Sequence, residues 1–172
     1  MTLPPSPAIE LVPASQFTIE QLTALYNQTR VDYLVPMPMN AARLAEYVNT
    51  YDVDLDHSLV ARQGDDILGL AMLGVRKDRT WITRLGVLPT TRRHGTGQAL
   101  MEGLLEQTHR LGIKFCMLEV IKNNTPAHTL FLKMGFKEIG ELLVLRRTQP
   151  GPTLRFEPFA DPVPVHRDPI AR

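Results

Sequence analysis

The chain has 172 residues, 44% of them apolar, enough for the core of one domain. Lys+Arg is 19 and Asp+Glu 18, a net charge of +1 that argues against a protein built to hold nucleic acid or an anionic membrane. A single cysteine, Cys116, excludes an internal disulfide and a Cys-based zinc framework. Met1 to Glu10 lacks the charge and the apolar run of a signal peptide, and the longest apolar stretch, Ile67 to Val75, is far below the roughly 20 residues a membrane span needs. The expectation is a soluble cytoplasmic protein.

Prolines cluster at both ends, at Pro4, Pro5, Pro7 and Pro13 and again from Pro150 to Pro169. The ends therefore read as extended, with 1–7 disordered, and the folded part as roughly 8–148. Thr18, with Gln21 three residues on, caps a helix carrying Ile19, Leu22 and Leu25. Asn40 caps a second helix with Leu44, Tyr47 and Val48. Ser58–Arg62 and Ile67–Val75 flank Gly64-Asp65-Asp66 and read as a hairpin. Trp81–Val87 is a third strand. Gly97–Leu111 is a helix with Leu100, Leu104, Leu105 and Leu111 on its apolar side, stopped by Gly112. Lys114–Val120 reads as a continuous apolar strand from the middle of a sheet. Thr125–Met134 is a helix ended by Gly135, and Glu138–Arg146 a last strand of the domain. This order gives an α/β layer architecture with parallel pairing near its centre.

The stretch Val87-Leu-Pro-Thr-Thr-Arg92-Arg93-His94-Gly95-Thr96-Gly97-Gln98-Ala99-Leu100 carries the chemistry. A strand ends, Pro89 stops it, and a loop with two arginines and two glycines opens a helix. Glycines admit a ligand close to the backbone. The first N–H groups of a helix and its dipole favour an anion. A diphosphate suits this better than a neutral ligand. Gln98 after Gly97 excludes the Walker loop, and Leu100 excludes the third glycine of the dinucleotide fingerprint.

What remains is Val-x-Pro-x-x-Arg-x-x-Gly-x-Gly-x-x-Leu, which resembles the pyrophosphate loop of the GNAT N-acetyltransferase superfamily. Six fixed positions match by chance on the order of once in ten million starts, which sets coincidence aside. Leu118-Glu-Val-Ile-Lys-Asn-Asn124-Thr-Pro-Ala127, followed by Gly135-Phe136, resembles the next motif of that family: a strand, Asn-x-x-Ala opening a helix, then Gly-Phe. The Leu-Glu-Val…Asn-x-x-Ala run is similar to ribosomal-protein N-terminal acetyltransferases. The resemblance covers 58–146; residues 8–57 follow only the order of elements.

The resemblance implies a mixed sheet splayed between the strands ending at Val87 and Val120, helices on both faces, and acetyl-CoA in the split as co-substrate, with no metal. It implies that Leu85, Gly86 and Val87 pair with the pantetheine arm and that a Val87-side N–H holds the thioester oxygen. The loop from Arg92 and Arg93 through His94, Gly95, Thr96, Gly97 and Gln98 holds the diphosphate. Asn124 meets the pantetheine end, and Phe131 lines the cofactor. Acetyl passes to a primary amine, a small molecule or a peptide N-terminus, by direct attack. The other reading is a coenzyme A-binding sensor or scaffold without turnover.

Neutralising a lysine at pH 7 costs about 4.6 kcal/mol, against about 1.4 kcal/mol for an α-amino group. Glu119, within the apolar run Phe115–Val120, is the candidate base, with burial expected to raise its pKa. Burial with an arginine partner is its structural alternative. Phe131 departs from the family, whose tyrosine there protonates the leaving thiolate; His128, one turn earlier, is a weaker substitute. Cys116 points to the opposite strand face and reads as an inert core thiol. Asp52-Val-Asp54-Leu-Asp56 lacks the glycine and glutamate of a calcium loop. Tyr33-Leu-Val-Pro-Met37-Pro-Met39 is expected to border the acceptor or to pack as a lid. The tail, 149–172, with Leu154, Phe156 and Phe159, is expected to pack on its own domain or on a second subunit in a homodimer, and Thr153–Glu157 is its candidate strand.

Overall fold

The structure is a computed structural model that describes residues 8–144. Its elements are β1 (Glu10–Pro13), α1 (Ile19–Gln28), α2 (Ala41–Thr50), β2 (Val53–Gln63), β3 (Asp66–Val75), β4 (Arg79–Val87), α3 (Thr96–Arg110), β5 (Phe115–Leu118) and α4 (Thr125–Lys133). The five strands form one sheet in the order β1-β2-β3-β4-β5. The first three pairings are antiparallel and β4–β5 is parallel. The α/β mixed sheet expected from the sequence is therefore present.

Alternation along the strands divides the core in two. Val60, Leu70 and Met72 join Leu22, Leu25 and Tyr26 of α1 and Leu44 and Tyr47 of α2 on one face. Leu59, Ala61, Ala71, Leu73 and Ile82 join Leu100, Met101 and Leu104 of α3 and Phe131 of α4 on the other. Each fully buried leucine or methionine contributes roughly 1.5–3 kcal/mol. Helices thus cover both faces.

Local chemistry fixes the helix starts. The Thr18 side chain accepts from the Gln21 amide at 3.2 Å, and Gln21 accepts from the Thr18 amide at 2.8 Å, a reciprocal cap worth about 1 kcal/mol. Asn40 accepts from the Arg43 amide at 2.9 Å. Gly64 turns the β2–β3 hairpin at φ +61°, a conformation that favours glycine.

Two expectations fail. Lys114–Val120 does not lie in the middle of the sheet: β5 is shorter, Phe115–Leu118, and stands at the end of the strand order. Phe115 is 68% and Met117 39% exposed, because no further strand pairs with β5 among the described residues. The second failed expectation is the strand from Glu138. Residues 138–144 have no regular structure, and Ile139, Leu142, Leu143 and Val144 are exposed. The apolar run at 142–144 suits a strand, but a strand forms only against a partner. Residues 138–144 belong to a unit separate from 8–137. β1 was not foreseen. The readings placed on 1–7, on the end of the expected strand at Arg146, and on the Pro-rich tail lie outside the described residues.

No helix among the described residues is long and apolar enough to cross a membrane.

Candidate active site

β4 carries the site because its two neighbours treat it differently along its length. The parallel ladder runs from Arg79↔Phe115 to Ile82↔Leu118 and stops there. Beyond it, Thr83–Val87 stays bound to β3 on one edge, through Met72↔Thr83, Leu70↔Gly86 and Gly69↔Val87. Its other edge faces no strand among the described residues. The β4–β5 pairing is therefore open beyond Ile82 and Leu118, where the resemblance implies a split.

The β3 register shifts across the same stretch. Arg84 and Leu85 together oppose the single residue Ala71, a β-bulge, and Arg84 takes φ +54°. Gly86 is required next to it. A Cβ there would lie 2.2 Å from the Thr29 Oγ1, so the end of α1 packs directly on the β4 backbone.

The connection from β4 to α3 leads into an uncapped helix start. The other three α-helices carry side-chain caps, from Thr18, Asn40 and Asn124. α3 starts at Gly95, in the left-handed region at φ +86°, with no side-chain cap and no acidic residue in its first turn. Its first N–H groups and its dipole are left for an external anion. The Thr96 hydroxyl is buried beside them without a hydrogen-bond partner. A Cβ on Gly97 would meet Leu130 at 3.5 Å and Val87 at 3.7 Å, so Gly97 looks onto the crevice between β4 and α4. These features fit the diphosphate and pantetheine of acetyl-CoA.

The side chains of the loop divide the work differently from the sequence reading. Arg92 does not turn towards this start. Its guanidinium clasps Asp32 at 2.6 and 2.8 Å and donates to the Val87 and Thr29 carbonyls at 3.2 and 3.1 Å. It ties the loop to the end of α1, and its hydrogen bonds hold the Asp32 carboxyl below the usual range. Arg93 and His94 are exposed, and Arg93 pairs with no carboxylate among the described residues. The Gln98 side chain donates to Glu102 at 2.8 Å and accepts from Lys133 at 3.0 Å, joining α3 to α4. Both ends of its side-chain amide are thereby engaged.

Asn124 caps α4 through the Ala127 amide and donates to the Tyr33 hydroxyl, both at 3.4 Å. Phe131 is buried and packs edge-on against Phe136, with centroids 6.3 Å apart. His128 is half-buried on the same helix. Glu119 follows the last residue of β5 and is exposed. The apolar enclosure expected around it is absent, because β5 has no outer neighbour among the described residues.

Opposite the split, α1 and α2 bring aromatic groups to the bulge. The Tyr47 hydroxyl hydrogen-bonds Thr83 at 2.6 Å. Burial pushes the Tyr47 phenol up; Thr83 and Arg84 pull it down, and the charge of Glu119 adds to the rise. Arg84 lies over the Tyr47 ring at 4.1 Å. The Tyr33–Met39 connection is pinned to α1: Tyr26 donates to the Met37 carbonyl at 3.2 Å, and Asn27 exchanges bonds with Met39 at 2.8 and 3.0 Å. A cavity of about 240 Å³ opens there, lined by Asn27, Arg30, Val31, Pro36, Met37 and Pro38. It lies beside the split and not in it. Tyr47, Thr83, Arg84 and Arg30 were missed from sequence, which gave no sign of the bulge.

Two of the three aspartates after α2 are occupied by their neighbours. Asp52 pairs with Arg76 at 2.9 Å, and Asp54 takes His57 at 2.8 Å. Among the described residues no group of three or more His, Cys, Asp or Glu could hold a metal.

Cys116 is half-buried, and burial raises its pKa, opposed by bonds to Thr80 and Thr108. The thiol should react with iodoacetamide at neutral pH at least about ten times more slowly in the folded protein than in urea. The unfolded thiol ionises first as pH rises. Its contribution to stability is therefore full below about pH 8.5 and declines as pH climbs towards the folded value. Denaturant titrations from pH 7 to 10, compared with Cys116→Ala, read this directly.

The acetyltransferase (GNAT) family matches residues 20–136. A [ribosomal protein bS18]-alanine N-acetyltransferase of Escherichia coli (strain K12) is 30% identical over 76 residues, 44% of this chain and 51% of that protein. The chain thus spans about half the length of the curated relatives it matches. The E. coli ribosomal-protein-S18-alanine N-acetyltransferase structure superposes with a TM-score of 0.63 at 21% identity, over 77% of this chain and 80% of that one. An aminoglycoside N-acetyltransferase in complex with CoA gives 0.66 at 16%, over 86% and 100%. A predicted acetyltransferase with acetyl-CoA from Clostridium acetobutylicum gives 0.61 at 18%, over 81% and 95%. The split sheet, the uncapped α3 and the match over 20–136 converge, and the chain belongs to the GNAT acetyltransferase family.

Proposed function

We propose that this protein transfers the acetyl group of acetyl-CoA to a primary amine within a ternary complex. The observation that carries the reading is the end of the β4–β5 ladder at Ile82/Leu118, beside a helix start with no cap of its own. The amine nitrogen attacks the thioester carbon, the C–S bond breaks, an amide forms and CoA leaves as the thiol.

The main-chain amides of Gly95–Gln98 bind the diphosphate. The edge of Leu85, Gly86 and Val87 that β5 leaves unpaired holds the pantetheine arm through its main-chain groups other than the Leu85 and Val87 carbonyls, which accept from Arg30 and Arg92, with an N–H on the Val87 side aimed at the developing oxyanion. Arg92 positions the loop through Asp32, and Arg93, which pairs with no carboxylate among the described residues, supplies charge. Asn124 sets the start of α4. Glu119 takes the proton the amine must lose, and its charge is already felt at Tyr47. Phe131 has no proton to give. A thiol of pKa about 8.5 leaves as thiolate and is protonated by water.

A cytoplasmic setting goes with this reading. The second reading, a CoA-binding module without turnover, rests on the buried Phe131 alone. Acetyl-CoA with a panel of amines, followed by thiol release, separates the two. Release above the blank for one amine supports transfer; tight binding without release for every amine ends it.

A further inference from the structure

Resting on the transfer reading, we propose that the acceptor carries an anionic group, a carboxylate or phosphoryl, near its amine, and that Arg84 and Arg30 receive it.

Five arginines of the described chain have a carboxylate partner: Arg62, Arg76, Arg79, Arg92 and Arg110, at 2.6–2.9 Å. All five are ordinary surface pairs. Arg84 and Arg30 are different. Both are half-buried, and neither forms an ion pair among the described residues. The Nε of each is buried without a hydrogen-bond partner.

Both guanidiniums converge on one ring. The Arg30 head lies 4.8 Å and the Arg84 head 5.5 Å from the centre of Tyr26. Tyr33 backs Arg30 at 4.3 Å, and Tyr47 backs Arg84 at 4.1 Å. Arg30 also donates to the Leu85 carbonyl at 3.3 Å, which fixes it against the bulge. Aromatic faces offset part of the cost of half-burying a cation, but they do not neutralise it. Two like charges over one ring repel each other. The carboxylate whose charge reaches this cluster is Glu119, felt at Tyr47, and it pairs with neither arginine.

The position of the cluster gives it a purpose. Arg84 sits on the bulge, beside the stretch of β4 that would present the thioester. It lies on the face covered by α1 and α2, away from α3 and its diphosphate site. The bulge puts φ +54° on a long charged residue, a conformation that glycine, asparagine or aspartate takes at lower cost. A planar fork held by stacking is suited to bidentate capture of a carboxylate or phosphoryl group. An acceptor anchored there places its amine at the split. A polycationic amine is repelled by the same pair.

The test uses the whole chain with acetyl-CoA and acceptors in matched pairs: glycine and glycinamide, β-alanine and β-alaninamide, Ala-Glu amide and Ala-Gln amide, phosphoethanolamine and ethanolamine, with spermidine as the cationic arm. The expected result is a kcat/KM at least tenfold higher for the anionic member of one or more pairs, with the difference mainly in KM. The pair that responds separates carboxylate from phosphoryl. Arg84→Gln should bring the ratio to within about threefold, and Arg84→Lys should keep part of it. Circular dichroism melts check folding, and Arg30→Gln serves if Arg84→Gln does not fold.

Equal kcat/KM within every pair overturns the proposal, as does a preference for spermidine. So does a ratio that survives both glutamine variants, or an Arg84→Gln effect confined to the pH profile, which would make Arg84 a positioning residue for Glu119. If no amine releases thiol, the transfer reading fails by itself. Saturation-transfer NMR with the same pairs and CoA then judges the anion site. Signal for an anionic member, absent for its neutral twin and in Arg84→Gln, upholds it; any other pattern overturns it.

Discussion

Gly97→Leu is expected to weaken acetyl-CoA binding on the order of 100-fold while Gly97→Ala changes it only a few-fold. The two substitutions differ in how far they reach. A methyl group at Gly97 meets Leu130 and Val87 at ordinary van der Waals distances, 3.5 and 3.7 Å. Alanine therefore fits, and inside a helix it stabilises the fold by up to about 1 kcal/mol over glycine. Leucine extends past those contacts into the crevice between β4 and α4, where the pantetheine arm must run. It also crowds the amides of the first turn. Losing one or two charge-assisted hydrogen bonds costs about 1.5–3 kcal/mol each, which sets the size of the effect. Gly95 gives an independent check. Its φ of +86° strains any residue with a Cβ, so Gly95→Val should weaken binding and lower the melting temperature together. Calorimetric titration with acetyl-CoA and a thermal melt of each variant read both quantities.

Glu119→Gln is expected to lower kcat/KM for the amine about 100-fold near pH 7 while leaving acetyl-CoA affinity within twofold. Glu119 lies one residue past the end of β5 and outside the Gly95–Gln98 stretch proposed for the diphosphate, so cofactor binding is not expected to need it. The deficit should shrink as pH rises towards the amine's own pKa, because a neutral amine no longer needs a base. It should be larger for a lysine-type amine than for an α-amino group, following their costs of deprotonation. Rates for two such acceptors between pH 6.5 and 10 test this. A variant with unchanged rates throughout would remove Glu119 from the chemistry and leave solvent as the proton acceptor.

What could be read from the sequence was local. The helix caps at Thr18 and Asn40, the Gly64 turn and the run Pro89–Gly97 are short-range signals, and each stands where it was expected. The β4–α3 loop was legible because proline, glycine and the loss of a capping side chain act over a few residues.

What was missed is set by distant partners. Arg92 looked like a phosphate ligand, but its partner Asp32 is 60 residues away. The bulge at Arg84 exists only in the register between β3 and β4, which no run of residues encodes. β1, four residues long and ending in Pro13, has a strand's pattern too short to recognise. Glu119 looked buried because its neighbours are apolar. Its enclosure depends on an outer strand that the described residues do not supply. Gly86 was assigned to the cofactor, while its lack of a side chain answers to Thr29.

The central claim is that the open amides of α3 hold a diphosphate, and it can be tested without an acceptor. Calorimetry of the wild-type chain with acetyl-CoA, set beside S-acetylpantetheine, which lacks the diphosphate nucleotide, isolates that contribution. The account predicts one-to-one binding of acetyl-CoA and an affinity for S-acetylpantetheine lower by about 100-fold or more. Equal affinity for the two, or no heat with acetyl-CoA, would contradict it.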